Sequence, residues 1–464
     1  MQSTSKYKLI TTKLINSKFD DFKLNEIPSD GQLMSVNGTF IASCWQAAGG
    51  CISILNKSNP HRVYCDIPLI RAHMRNINDV RFSPFITNLL STASDDGTIK
   101  LWQVPDEGLT ADMTQEVQKY SLHGKKVILT QYHPCSCDII ASISADNSIH
   151  VWNICNGKQY FNVSTKDSMS SLDWNYNGSL LGTITKEKLA YIIDPRQGCT
   201  VLTANAHEGS KTQKMLFVDP NYFITTGFNK SNARELKLYD IRNCSSSGAL
   251  MTKHIDNQTG NMYPWYDQET KVICVPSRGE AMIHFYSFDE GTINKLNQNK
   301  LATNSKSFTF SEKRFSDYKT NEMSRMYKYK ENALELVSIY VPKKGGMYDK
   351  SLYPDSFAGI SSISGDDWAN GGNADVVRRD FDEVVGGCVG VVSSVSSSSN
   401  GVSGSNIVKK ESVVVEESLE VQVTKLKKEI ERLNKIIEEK DAINDQLRKD
   451  NDNLRDLLNK RGDY

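Results

Sequence analysis

The chain has 464 residues, 39% of them hydrophobic and 24% charged, which are ordinary proportions for a soluble globular protein. Lysine plus arginine equals aspartate plus glutamate at 55 each, so no global basic field draws the chain to nucleic acid or acidic lipid, and an anionic partner must meet a local patch. The N-terminus, MQSTSKYKLITTK, lacks an apolar core of signal-peptide length, no stretch approaches a membrane span, and the 10 cysteines, scattered almost singly, read as free cytosolic thiols rather than a disulfide framework.

In chain order, "GQLMSVNGTFIASCWQAAGGCISILNK" reads as three short strands with glycine turns. "LLSTASDDGTIKLWQ", residues 89–103, is a strand, a tight turn and a strand ending in Trp102, and "IIASISADNSIHVWN", residues 139–153, repeats the arrangement fifty residues later. Aligning the two matches His73 with His123, Ser94 with Ser144, Asp96 with Asp146 and Trp102 with Trp152. This is the pattern of a WD-repeat blade, whose four antiparallel strands need about 40–45 residues. Each set is expected to form a buried polar chain in which the indole N–H donates to the Ser hydroxyl, the Ser to the His ring and the His to the turn Asp. The alternative, a Ser-His-Asp nucleophile, is disfavoured because the same set occurs twice, as structural latches do.

Within the second repeat, "HPCSC" (His133, Cys135, Cys137) has the look of half a zinc site, but no second half follows and the first repeat has Ser83-Pro84 in that loop. No metal and no cofactor are expected. "SMSSLDWNYNGSLLGTITKEKLAYIIDPR" keeps the strand rhythm with Ile193 in the Trp position, and "AHEGSKTQKMLFVDPNYFITTGFNKSNARELKLYDIR" runs from His207 to Tyr239-Asp240 with a longer loop. "GNMYPWYDQETKVICVPSRGEAMIHFYSF" and "MSRMYKYKENALELVSIYVP" continue the alternation. The repeats predict an all-β, seven-bladed WD-repeat β-propeller over residues 1–345, closed by an N-terminal strand so that no sheet edge stays open.

Residues 346–384 carry Tyr348, Tyr353, Phe357 and Trp368, aromatic rings a solvated linker would not need, so this arm is expected to pack on the propeller. Residues 385–415 collapse to Gly, Ser and Val and read as a flexible tether. Residues 416–460 show an α-helical coiled-coil heptad: Val423, Ile430, Ile437, Asn444, Asn451 and Leu458 recur every seven residues, followed three later by Leu426, Leu433, Lys440, Leu447 and Leu454. Such a helix is a rod of roughly 60 Å at ~1.5 Å per residue. Buried Asn and the Ile/Leu order favour a parallel dimer, whereas Ile436, Ile443 and Leu457 widen the seam toward three or four helices. No phosphate-binding Gly loop, HExxH or paired-carboxylate motif points to an enzyme.

Propeller, aromatic arm, linker and coiled coil, in that order, resemble the architecture of the coronins. "SKYK" at Ser5–Lys8, "LWQVPDEGL", "IIDPRQG", "AHEGSK", "TTGFNKSNARELKLYD", "LYPDSFAG" and "DDWANGG" each resemble a signature of that family. The resemblance implies a non-enzymatic protein of the cytoplasm and the actin-rich cortex that binds filamentous actin, links filaments through homo-oligomers and meets other actin regulators. It places the basic actin contact on Lys23 in "DDFKLNE", a Lys where the family has Arg, with Lys6 and Lys8 nearby in sequence and Arg196 and Arg242 as second candidates after blade-ending strands. The alternative is a WD-repeat adaptor in trafficking or signalling that does not touch actin.

Overall fold

The computed structural model describes residues 6–243, 248–343 and 348–388. The chain divides into two units, Met1–Val391 and Val392–Tyr464, and all described residues belong to the first. The heptad positions Val423, Leu426, Ile430, Leu433, Ile437, Asn444, Leu447, Asn451, Leu454 and Leu458 lie outside the described residues.

Seven four-stranded antiparallel sheets form the blades of a β-propeller. Six of them follow one another in sequence, over residues 34–73, 77–120, 127–164, 169–205, 214–256 and 265–305. The seventh takes three strands from residues 307–340 and its outermost from the N-terminus: Thr11–Asp20 pairs with Ala333–Tyr340, Thr11 opposite Tyr340 and Asp20 opposite Ala333, with a bulge between Ile15 and Lys18. The two ends of the ring are thereby joined by a ladder of backbone hydrogen bonds, which removes the open edge.

The strands read as the sequence dictates. Middle strands such as Leu89–Ser94 and Ile139–Ser144 are buried throughout because neighbouring blades cover both faces, whereas the outer strand Cys199–Asn205 alternates exposed and buried. The hairpins between the two middle strands need a left-handed residue, supplied by Gly97 (φ 80°) in the second blade and Asn147 (φ 67°) in the third. Around the central channel the blades are tied by carboxyl groups on their innermost strands. Asp79 accepts Gln32 N at 2.7 Å and Thr130 N at 2.9 Å, joining three successive blades, and Asp173 accepts Phe217 N at 2.9 Å. Burial pushes the Asp173 carboxyl up to about 7.

Up-and-down strand order gives the ring two distinct faces. One carries the loops between blades and the middle-strand hairpins; the other carries the first and last turns of each blade, and over it runs the C-terminal arm. There Trp368 is fully buried against Trp174, His133 and Phe161 and donates its indole N–H to Gly178 O at 2.9 Å. Tyr353 stacks on Phe381 at 4.6 Å and donates to Glu322 O at 2.9 Å. Phe357 meets Phe85 edge-on at 5.5 Å, and Tyr348 is the most exposed of the arm aromatics at 38%. The arm ends in the helix Phe381–Cys388, whose Phe381 and Val384 are buried. Among the described residues no helix is long and apolar enough to cross a membrane.

Candidate functional site

The two expected polar latches form with one substitution of partner. In the second blade Trp102 Nε1 donates to Thr92 Oγ1 at 3.0 Å, the same hydroxyl lies 2.8 Å from His73 Nε2, and His73 Nδ1 lies 2.9 Å from Asp96 Oδ2. In the third, Trp152 Nε1 donates to Ser142 Oγ at 2.9 Å, Ser142 Oγ lies 2.8 Å from His123 Nε2, and His123 Nδ1 lies 3.1 Å from Ser148 Oγ and 3.4 Å from Asp146 Oδ2. The hydroxyl is therefore Thr92 or Ser142, not Ser94 or Ser144. The register explains the difference: Trp102 pairs with Leu90 and Trp152 with Ile140, so the indole reaches the diagonal residue two positions on, whereas Ser94 and Ser144 lie at the strand end. Those two serines organise the hairpin instead, donating to Asn76 O at 2.8 Å and Lys125 O at 3.2 Å.

The latch is electrostatically self-contained. Burial opposes the charge on Asp96, but the hydrogen bonds from His73 and Thr98 outweigh it and hold the carboxyl well below its ordinary value. For Asp146 burial is likewise outweighed by donors on Ser148 and Gly124. Burial lowers His123. His, hydroxyl and carboxylate are all consumed by one another, His73 reaching in from the end of the first blade's outer strand and His123 from the loop before the third blade, so neither set presents a free nucleophile. His133 is spent similarly: Nδ1 accepts Cys135 N and Ser136 N at 3.1 and 3.0 Å, Nε2 bonds Gly178 O at 3.1 Å, and burial lowers the ring to about 3.

The five basic residues singled out in the sequence do not form one cluster. Lys23 sits between buried Phe22 and Leu24, which wedge against Trp45 and Tyr329 where the last blade meets the first. Its carbonyl accepts Gln46 N at 3.0 Å in the middle hairpin of the first blade. The side chain is exposed on the face of interblade loops, and among the described residues it makes no ion pair. Lys6 and Lys8 lie at the other end of Thr11–Asp20, where Lys6 Nζ donates to Ser351 O at 3.3 Å of the arm. A ten-residue strand, about 33 Å at ~3.3 Å per residue, separates them from Lys23, so closeness in sequence becomes distance in space. Arg196 is no surface site either. It is 13% exposed, bonds Gly372 O and Asn373 Oδ1 at 3.1 and 3.0 Å and lies over the Trp368 ring, so it fastens the arm. Arg242, on that same arm face, is exposed but held by both oxygens of Asp240 and by Tyr222.

What joins Lys23 on its own face is a group the sequence reading passed over. Arg75, Lys125 and Lys126 are exposed and make no ion pair among the described residues. They rim a shallow depression with Met74, which is 92% exposed, and with Gly49 and Gly97. The acidic groups there are engaged inward, Asp96 by His73 and Asp95 by Asn78 at 2.9 Å. Lys23 and Arg75 both meet the middle hairpin of the first blade through their backbones, Lys23 O accepting Gln46 N and Arg75 O lying against Gly50. A signal existed: Arg75 and Lys125 both stand two residues after a latch His, at equivalent places in the fifty-residue repeat.

Two family models match, one described as a domain of unknown function, DUF1899, over residues 1–62, and the WD domain, G-beta repeat, over residues 66–103. The chain is 29% identical to the coronin-like protein crn1 of Schizosaccharomyces pombe over 77% of its own length and 60% of that protein's. It is 28% identical to human coronin-2A over 77% of this chain and 70% of the relative, and 28% identical to coronin-A of Dictyostelium discoideum over 77% and 80%. It thus spans less than two thirds of the fission yeast relative, and 56% of the coronin-like protein of Saccharomyces cerevisiae. The crystal structure of the WD40 domain of Toxoplasma gondii coronin superposes with a TM-score of 0.77 at 27% identity, covering 80% of this chain and 97% of that one. Propeller, arm and sequence together make the chain a homologue of the coronins.

Proposed function

We propose that the protein is an actin-filament-binding scaffold, without enzymatic activity, that engages the filament through the propeller and cross-links filaments through coiled-coil oligomers. The observation that carries this reading is the set of cations, Lys23, Arg75, Lys125 and Lys126, that make no ion pair among the described residues, on one face of a protein whose total charge balances. An acidic filament surface is steered to such a patch, and clustering supplies locally what net charge does not. Its coronin relatives support the same reading. Lys6, Lys8, Arg196 and Arg242 are left outside the contact, because they lie on the arm face and three of them have partners there.

Cross-linking requires more than one propeller per particle. Each propeller binds weakly alone, and tethering raises the effective concentration of the second contact. The test is co-sedimentation and bundling with the full chain and with a chain ending near residue 412. The full chain is expected to pellet with filaments and bundle them. The shortened chain is expected to be monomeric, to bind weakly and to bundle nothing. A full chain that leaves filaments in the supernatant would favour the adaptor reading, and a shortened chain that still sediments as an oligomer would remove the coiled coil's role.

A further inference from the structure

Two thiols meet where the arm is anchored to the third blade. Cys137 lies in the turn before the strand Ile139–Ser144, and Cys155 in the turn after Ser148–Asn153. Ile139 pairs with Asn153, and the next rung is closed by Ile154 N donating to Asp138 O at 2.7 Å. Beyond that the ladder ends, with Cys137 and Cys155 in the turns that adjoin it. Both thiols donate to one oxygen, Asp138 Oδ1, at 3.3 Å from Cys137 and 3.1 Å from Cys155. Cys155 is exposed and Cys137 half-buried, whereas neighbouring Cys135 is buried.

We propose that Cys137 and Cys155 form a reversible oxidation site, a dithiol that a peroxide converts to an intramolecular disulfide. The exposed Cys155 sulfur, as thiolate, attacks a peroxide oxygen and becomes a sulfenic acid as one water leaves. Cys137 then attacks the sulfenic sulfur, the S–S bond forms and a second water departs. Two thiols lose two electrons and two protons, and hydrogen peroxide is reduced to two waters. A thiol reductant reverses the step by exchange.

Asp138 sets the pace and links the site to the arm. Burial, reinforced by the Asp138 carboxylate, pushes the Cys155 thiol up to about 12, and the same two causes raise Cys137. The reduced pair is thereby kept protonated and slow to react. The other oxygen of Asp138 accepts Gly365 N at 3.1 Å, at the start of the arm helix Gly365–Ala369, and Cys137 N donates to Ser361 Oγ at 3.2 Å. A disulfide has no S–H to offer, so oxidation frees Asp138 Oδ1 from two donors while the other oxygen keeps Gly365 N, which alters the setting of the arm contact.

The test exposes the full chain to hydrogen peroxide, blocks remaining thiols under denaturing conditions and maps disulfides by non-reducing peptide mass spectrometry. The Cys137–Cys155 linkage is expected to dominate the oxidised species, to disappear with dithiothreitol, to be absent in Cys155→Ser and to form severalfold faster in Asp138→Asn. Amide hydrogen exchange of the segment containing Gly365 is expected to change in oxidised wild type and to stay unchanged in peroxide-treated Cys155→Ser. The proposal is overturned if the pair stays reduced while the exposed Cys65 and Cys199 oxidise, or if Cys155 ends as a sulfinic acid or an intermolecular disulfide.

Discussion

Thr92 and Ser142 show how finely a buried polar chain depends on position. Each hydroxyl serves two buried partners at once, an indole and an imidazole, within 3.0 Å. Thr92→Val keeps the shape and deletes the oxygen, which strands Trp102 and His73; the expected cost is about 2–3 kcal/mol, read as a fall in the thermal midpoint. Asp146→Ala is expected to cost ~1–3 kcal/mol, because His123, Ser148 and Gly124 lose an acceptor. If Ser94→Ala costs more than Thr92→Val, the latch has been assigned to the wrong hydroxyl. Sequence pointed to Ser94 and Ser144 because both repeats carry identical residues there; residues two apart on a strand share a face, and only the register separates them.

Buried histidines give the propeller an acid limit of definite sign. Burial lowers His133 and His207 to about 3 and His150 to about 4, so each stays neutral in the folded chain where an unfolded His takes up a proton. Between pH ~6.5 and those values the unfolded state binds more protons, and stability falls as pH falls, by about 1.4 kcal/mol per pH unit for each such His once the unfolded group is charged. Asp96 and Asp146, held low when folded, extend the loss to lower pH. Melting curves from pH 8 to 4 should show a plateau and then a steepening decline below about 6.5; a midpoint that rises on acidification contradicts this reading.

Among the elements, the arm is fastened at several points, of which Trp368 is its largest fully buried side chain. Trp368 is fully buried among Trp174, His133 and Phe161 and bonds Gly178 O. Trp368→Ala removes contact worth about 3–5 kcal/mol. Because the arm can detach without breaking any blade, the expected result is faster proteolysis within residues 354–380, with the main melting transition little moved. If the blades unfold together with the arm, the arm is part of the ring's stability. The strands themselves were legible, since period-two alternation and glycine or asparagine turns mark them locally. Closure by Thr11–Asp20 rested on the fold, because its partners lie more than three hundred residues away. The fate of Arg196 was hidden for the same reason: nothing beside "DPR" announces Gly372 and Asn373.

At the scale of the whole molecule, the ring converts linear order into two faces of different use. The arm occupies one, and its cations are largely spent on it, Arg196 on the arm backbone and Lys350 on Asp380 and Asp382. The opposite face keeps Lys23, Arg75, Lys125 and Lys126 unpaired among the described residues. On the proposed reading, that division lets a protein of zero formal charge address an acidic partner from one side only. The most direct measurement is co-sedimentation with filamentous actin across a salt series, comparing wild type, Lys23→Asp and the double variant Lys125→Glu/Lys126→Glu at matched thermal midpoints. The account predicts that both variants bind at least tenfold more weakly than wild type at low salt and that their residual binding is less sensitive to salt. Wild-type affinity in both variants, with melting curves unchanged, would contradict it.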